Sequence, residues 1–533
     1  MTNRKLVIGA SALKKEIMML NTDLSTLSIA KTLAHFDINI TEQTTNNLVN
    51  DSRYVQQGDI FAAVIGTNLV GADYIDTAIA KGASVILSQC EEQQLHGKVE
   101  IVQPAGKSVT IINFYQLDKQ LAKLSAIYYN QPANDLTLVG ITGTNGKTSC
   151  CQIMAQLMNA VQQPTAIIGT LGAGTLDNLV DINNTTPGPT KLQQLLAEFT
   201  AQDIKQVAME VSSHALSQHR VESEMIDIAV FTNLTRDHLD YHGDMQSYGA
   251  AKRALFNGTS AQVWVLNADD PQTHIWLAEL ANENERVLYS CDANFEPQLF
   301  AANYPNAKFI NAANMQCHNQ GVDFQLTSSW GNINIASGLL GEFNVSNLLA
   351  AIAVLLVQNV SLELIAQNTK NLTAVAGRME TFIAPGAATT VVDYAHTPDG
   401  LEKALTSTRK HCQGELWAVF GCGGDRDTGK RAVMGAIAEQ YADHIVLTND
   451  NPRTEEPSAI IADIIKGINN PDSITTILDR EQAIISTIAK AGADDMVLCA
   501  GKGHEDYTII GTEKVAYHER EVVRKYYQQV ATL

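Results

Sequence analysis

The residues most suggestive of chemistry lie in the stretch from Leu138 to Ser149, where Gly143, Thr144, Asn145 and Gly146 run directly into Lys147, Thr148 and Ser149. A glycine-rich turn of this kind aims backbone N–H groups at an anion. The lysine adds positive charge near outer phosphates, and the threonine hydroxyl can hold a magnesium ion. Gly140 and Gly146 are separated by five residues where the strict Walker spacing has four, so the loop is a variant form.

Polar residues recur further along. Glu210 leads into the stretch 212–220, which holds Ser212, His214, Gln218 and Arg220, and a second polar stretch runs from Asn233 to Gly243. Hard divalent cations take oxygen ligands and keep waters, so Thr148 and Glu210 could serve a cation beside a triphosphate. His238 is a less usual ligand for magnesium. A solvated surface could carry the same loops. Lys252, among small residues, reads by itself as an ordinary helix lysine. Asn344 and Asn347 are three apart and share a face near a helix start. They can cap that helix, or read an adenine edge with their amides.

These residues need elements to hold them. Leu136–Ile141 reads as a buried parallel strand, with a helix after the turn and no breaker before Pro164. Strands are expected at 205–211, 226–232 and 263–267 with helical patterns between them, which is the alternation that builds a parallel sheet. Ligands sit beyond the carboxyl ends of such strands, and the polar loops fall there. The apolar run Leu348–Val357 reads as a buried helix, far short of a membrane span.

A third block repeats the pattern. Strands at 390–393, 416–420, 444–447 and 496–500 lead into loops that hold Asp393 and His396, Gly421 to Asp427, Asp450 to Arg453, and Gly501 to Glu505. Arg426 stands where a dinucleotide fingerprint needs glycine, so that reading is rejected. Arg453 by itself could be a loop salt bridge. The first hundred residues suggest a small domain, with a helical pattern at 73–81 and a strand at 83–87. Ser52, Arg53 and Asn68 read most simply as turn residues.

Composition sets limits. The 533 residues exceed one core, so two to four domains are expected. Net charge is −20, which argues against nucleic acid or an anionic membrane as partner. The eight cysteines include no C-x-x-C pair, so neither a zinc site nor a disulfide framework is suggested, and a cytoplasmic location is the simplest. The apolar run Leu6–Leu13 is followed at once by Lys14, Lys15 and Glu16, which argues against a secretion signal.

Taken together, Thr142–Thr148, Met209–His214, Asn233–Gly243, Lys252, Gly341–Val345, Gly377–Glu380 and Asp393–Pro398 resemble the Mur ligase family in order and spacing, over residues 50 to about 507. The resemblance implies an α/β fold of three domains. These are a small UDP-sugar-binding domain (1–116), a central ATP-binding domain with a P-loop and a parallel or mixed sheet (117–374), and a Rossmann-like amino-acid-binding domain (375–533). It implies an ATP-dependent amide ligase of peptidoglycan precursor synthesis that works through an acyl phosphate. The form Asp450-Asn-Pro-Arg453 points to meso-diaminopimelate as the amino acid added to UDP-N-acetylmuramoyl-L-alanyl-D-glutamate. Lysine-adding relatives replace that arginine. A lysine-adding ligase, a folylpolyglutamate synthase-like ligase and an inactive nucleotide-binding regulator are the alternatives.

Site roles follow from the same resemblance. Gly143, Thr144, Asn145, Gly146, Lys147, Thr148, Ser149, Asn344, Asn347, Arg378 and Asp393 would bind ATP. Thr148, Glu210, His238 and Lys252 would hold Mg2+, with Lys252 carbamylated by carbon dioxide. Lys147, Glu210, His238 and Lys252 would be the catalytic set. Ser52, Thr67, Asn68, Leu69, Asn184, Thr185, Thr186, Ser212, Gln218 and Arg220 would bind the UDP-muramoyl-peptide. Arg426, Asp450, Asn451, Pro452, Arg453, Gly501 and Glu505 would bind diaminopimelate. A monomer acting on small molecules in the cytoplasm is expected, with no nucleic acid and no membrane.

Overall fold

The computed structural model describes residues 27–66, 69–256, 261–279, 284–296, 304 and 307–531. The secretion-signal question at the N-terminus and the candidates Thr67 and Asn68 lie outside the described residues. Two compact units are present. One takes in the described residues up to Thr137 with Leu171–Lys205 and Gln218–Glu222. The other takes in Leu138–Thr170, Gln206–Ser217 and the chain from Ser223 onward.

In the first unit, strands Leu48–Val49, Ile60–Ala63, Val85–Cys90 and Val109–Tyr115 pair in parallel, and Val99–Val102 closes one edge antiparallel. Strand side chains alternate between faces. Ile60, Ala62, Val85, Leu87 and Ile112 therefore pack with Leu117, Leu121 and Leu124 of helix Leu117–Tyr128. Phe61, Ala63 and Ile86 pack on the other side with Ala78. The pattern at 73–81 resolves into a 3-10 turn, Gly71–Tyr74, and helix Ile75–Lys81. Gly82 ends that helix at φ 106, in the left-handed region.

The second unit contains two large sheets and a two-stranded antiparallel one, Tyr507–Ile510 with Glu513–Ala516. In the first, Ile228–Phe231 pairs in parallel with Thr137–Thr142 on one side and Val263–Asn267 on the other. The parallel run continues through Glu285–Ser290 to Ala307–His318, after which Gly321–Ser328 and Gly331–Ser337 turn antiparallel. Gln206–Glu210 and Thr165–Gly169 pair in parallel on the other flank. The sheet is thus mixed. Helix Glu342–Val357 buries twelve of its sixteen residues, as its apolar sequence requires. It packs on helix Lys147–Ala160 and on the central strands. Each fully buried leucine there contributes roughly 1.5–3 kcal/mol.

The other sheet runs Glu380–Phe382, Thr389–Asp393, Met496–Ala500, Leu416–Phe420, His444–Leu447, Thr475–Thr476, antiparallel only at the first pair. Both faces are covered. Val391, Leu416, Ala418, Phe420 and Leu498 pack on one side, and Val392, Val419, Val446 and Val497 on the other. This is the doubly wound arrangement, with its loops at the carboxyl strand ends. No helix among the described residues is long and apolar enough to cross a membrane.

Candidate active site

The glycine-rich turn emerges from strand Thr137–Thr142 and feeds helix Lys147–Ala160. The end of the neighbouring strand straps it down. Thr232 Oγ1 donates to Asn145 O (2.6 Å), Asn233 Oδ1 accepts from Asn145 N–H (2.9 Å), and Asn233 O accepts from Thr144 N–H (2.8 Å). Gly143 has φ 151, and a Cβ there would overlap Thr232 Oγ1, so the turn requires glycine. Lys147 Nζ folds back onto the carbonyls of Gly143 (2.8 Å) and Thr144 (2.9 Å).

Lys252 converges on the same point. It is 1% exposed on helix Met245–Arg253, and its Nζ donates to Gly143 O at 2.7 Å. It is therefore no solvated helix lysine. Its ammonium lies 4.4 Å from the Tyr248 ring centre, and the Tyr248 hydroxyl bonds Thr144 Oγ1 (3.2 Å). Burial, then the charge of Lys147, pushes its pKa down to about 6. Burial also lowers the pKa of Lys147. Two buried lysine amines share one carbonyl, each pushed toward its neutral form, and an anion beside them would favour the charged form.

Glu210, 1% exposed, completes this centre. Its Oε1 accepts from Thr148 Oγ1 and Thr170 N–H, both at 2.8 Å, and burial raises its pKa. Thr148 and Glu210 thus offer adjoining oxygens, the donor chemistry of a hard cation that keeps its waters and phosphate ligands. Among the described residues no group of three or more His, Cys, Asp or Glu side chains is placed to enclose a metal by itself. His238 stands at the rim. It has φ 53, with Nε2 3.5 Å from Asp237 and its ring against His214 (4.9 Å between centres).

Asn344 and Asn347 are buried in the first turns of helix Glu342–Val357, where the cap position is Gly341 rather than either asparagine. They bond each other (3.3 Å), and Asn347 Oδ1 lies against Gly146 and Cys150 Sγ. Arg378 lies exposed over the Tyr394 ring at 5.0 Å. The Asp393 carboxylate accepts from Met379 N–H (2.8 Å) and Ala395 N–H (2.9 Å), and burial raises its pKa.

The strand-end loops of the last sheet bring together a second group of polar side chains. Asn451 Nδ2 donates to Glu505 Oε2 (3.0 Å). Arg453 Nη1 donates to Gly424 O at 2.8 Å, and the guanidinium makes no ion pair among the described residues, which removes the loop salt-bridge reading. Its backbone is left-handed at φ 51 and is pinned through Ile509 O (3.0 Å) and Gly511 N–H (2.8 Å) to the strand Tyr507–Ile510 and its turn. Gly501 has φ 120, and a Cβ there would press on Asp450 Oδ2. Arg426 is exposed on the loop whose Gly424 carbonyl holds Arg453.

Of the first-unit candidates, Arg220 reaches Thr186 O (3.2 Å) and Gln218 Oε1 (2.9 Å). Ser52 is buried, Thr185 half-buried, and Asn184 and Leu69 are exposed. Ser212, in the second unit, accepts from Ala215 N–H (3.2 Å). Sequence reasoning missed the strap made by Thr232, the shelf made by Tyr248, the buried Lys502, and His411. Thr232 ends a predicted strand and Lys502 stands two residues beyond another, positions that could have marked them.

Three family models match the chain in order. They are the Mur ligase family catalytic domain over residues 44–129, the Mur ligase middle domain over 141–355, and the Mur ligase glutamate ligase domain over 377–503. A UDP-N-acetylmuramoyl-L-alanyl-D-glutamate–2,6-diaminopimelate ligase of Haemophilus influenzae is 44% identical over 477 residues, covering 90% of this chain and 95% of that one. A solved structure of a ligase of that same name superposes with TM-score 0.72 at 32% identity, covering 95% of this chain and 99% of the other. The fold is shared more widely. A ligase from Acinetobacter baumannii that carries D-alanyl-D-alanyl in its name has TM-score 0.60 at 18% identity, over 94% of this chain and 98% of its own. With family models along most of its length and a relative of this identity, the chain belongs to the Mur ligase family.

Proposed function

We propose that this protein is an ATP-dependent, ADP-forming ligase that joins meso-2,6-diaminopimelate to UDP-N-acetylmuramoyl-L-alanyl-D-glutamate, in peptidoglycan precursor synthesis. The terminal phosphoryl group of ATP passes to the γ-carboxylate of the D-glutamyl residue, giving an acyl phosphate. The diaminopimelate amine attacks that carbonyl, phosphate leaves, and the nitrogen loses a proton. Residues 1–116 would hold the UDP sugar, 117–374 ATP, and 375–533 the amino acid, in a monomer acting in the cytoplasm. Ser52, Thr67 to Leu69, Asn184 to Thr186, Ser212, Gln218 and Arg220 would meet the UDP-muramoyl-peptide.

The protein's share is positioning and charge. N–H groups of Gly143 to Ser149 and the Lys147 ammonium would grip the outer phosphates, and Lys147 would leave its carbonyl partners to do so. Asn344 and Asn347 would face the adenine, with Arg378 and Asp393 completing the nucleotide contacts. Thr148, Glu210, His238 and Lys252 would hold magnesium, Lys252 as a carbamate. The buried amine is held in the neutral form that carbon dioxide requires, and uptake turns a cation into an oxygen ligand. Bound magnesium supplies charge neutralisation at the phosphoryl group.

The observation that carries the choice of amino acid is Arg453, half-buried with one carbonyl partner and no ion pair among the described residues. Meso-diaminopimelate differs from lysine by a carboxylate at the far end of its side chain. A guanidinium grips such a group through two parallel bonds, and lysine would leave it unanswered. Arg426, Asp450, Asn451, Pro452, Gly501 and Glu505 would line the same site. The test is phosphate release from ATP with the UDP-muramoyl-dipeptide and diaminopimelate, lysine or neither. Release is expected with diaminopimelate. Release with lysine alone would overturn the specificity, and no amino-acid-dependent release from folded protein would favour a regulator.

A further inference from the structure

Lys502 lies between Gly501 and Glu505, and its side chain is fully enclosed. Its Nζ donates to Asn451 Oδ1 (2.7 Å), to Tyr507 O (2.8 Å) and to Glu505 Oε2 (3.4 Å), with Asp450 Oδ1 at 3.8 Å. One ammonium therefore ties together three segments: the loop of Asp450 to Arg453, the loop of Gly501 to Glu505, and the strand Tyr507–Ile510. Its three N–H directions are all used inside the protein, so it has none to offer a ligand.

These bonds dictate the state of two neighbours. Asn451 Oδ1 accepts from both Lys502 Nζ and Ile509 N–H (2.8 Å), which turns its amide N–H toward Glu505 Oε2. The bonds to Glu505 from Asn451 and Lys502 both land on Oε2, and Oε1 has no hydrogen-bond partner among the described residues. Nearby Arg480 is matched by Glu519, so its charge is already answered. Immediately around Lys502, one ammonium faces two carboxylates, Asp450 and Glu505.

Resting on the reading of these loops as the amino-acid site, we propose that Lys502 is a positioning residue that sets specificity. It holds Glu505 by one oxygen so that the other meets the substrate ammonium. Through Asn451 and the strand 507–510 it fixes that oxygen's separation from Arg453, which meets the carboxylate. The ligand class selected is an amino acid whose side chain ends in both an ammonium and a carboxylate. Without the Lys502 charge the two carboxylates repel, the Asn451 amide is free to turn, and the two substrate-binding groups lose their common frame.

The test compares Lys502→Met, Lys502→Arg, Glu505→Gln and the double variant Lys502→Met/Glu505→Gln in full-length enzyme, with separate KM values for diaminopimelate and ATP. Lys502→Met is expected to raise the diaminopimelate KM about tenfold or more, with the ATP KM within about twofold. The double variant is expected to be no worse than Glu505→Gln alone, because the lysine acts through the glutamate. Equal rises in both KM values, or additive losses in the double variant, would overturn the inference. If Glu505→Gln raises the diaminopimelate KM while Lys502→Met does not, the inference about Lys502 fails and the site reading stands. If neither Glu505→Gln nor Arg453→Ala moves that KM, the site reading itself fails and takes the inference with it. Should Lys502→Met not fold, Lys502→Arg decides: it keeps the charge but not the three-way geometry. A raised diaminopimelate KM is expected there, and an unchanged one overturns the inference.

Discussion

At the end of strand Thr137–Thr142, two amine side chains converge on the carbonyl of Gly143, and among the described residues no carboxylate is bonded to either. At the ends of strands His444–Leu447 and Met496–Ala500, Lys502 is instead ringed by Asn451, Asp450 and Glu505, while Arg453 rests on a single carbonyl. The first region presents clustered positive groups that, on the proposed function, a polyphosphate would meet. In the second, most charges are matched within the protein, while among the described residues Arg453 makes no ion pair and Glu505 Oε1 has no hydrogen-bond partner. Affinity for phosphate can come from the first arrangement, whereas discrimination between similar amino acids needs the second.

The sharpest way to break the contrast is Lys147→Ala. It is expected to lower kcat for amino-acid-dependent phosphate release by about 10²–10³-fold. Diaminopimelate binding to the nucleotide-free protein, read by calorimetry, should be unchanged. A parallel loss of that binding would mean that the two regions are not separable.

Arg453→Ala probes the other side. The diaminopimelate KM should rise by about 10–10²-fold while the ATP KM stays put, and preference over lysine should collapse. Steady-state kinetics with both amino acids checks this, and an equal loss for ATP would count against Arg453 as the selecting group.

The smallest effect concerns a residue that joins the helix Pro398–His411 to the first turn of the helix bearing Asn344 and Asn347. His411 accepts from Gly341 N–H at Nε2 (2.9 Å), which leaves Nδ1–H to donate to His318 O (2.8 Å). Burial lowers its pKa from 6.5. The unfolded chain therefore takes up this proton before the folded one does. The associated stability is fully present above about pH 6.5 and is lost as pH falls from there toward the folded value. Thermal melts between pH 7.5 and 5.5, intervals of roughly one unit either side of the ordinary histidine range, should show a decline that is shallower in His411→Gln. An identical slope in the variant would exclude His411 as its source.

The contrast also explains what could be read from the sequence. The phosphate-binding turn is local: Gly143 to Thr148 are consecutive, and the strand before and helix behind them have clear patterns. Strands 263–267, 416–420, 444–447 and 496–500 fall where alternation and apolar runs place them. Asn344, Asn347 and Lys252 were ambiguous alone, because burial decides between a surface polar residue and an enclosed one, and burial depends on distant segments. Lys502 was invisible for the same reason, since its partners lie 3, 5 and 51 residues away. Leu171–Lys205 and Gln218–Glu222 joining the first unit is likewise a long-range outcome, with helix Pro189–Ala201 packing on helix Leu117–Tyr128.

Arg453 occupies a left-handed backbone conformation that glycine adopts freely and arginine adopts at a cost of roughly 1–2 kcal/mol. The loop's own comfort would be served by a residue with no side chain at all. That an arginine stands there means the fold tolerates a weak point in order to keep a planar cation at one spot. On the role proposed for Arg453, selectivity for the amino acid and resistance to unfolding pull against each other at this position, and Arg453→Gly would exchange the first for the second.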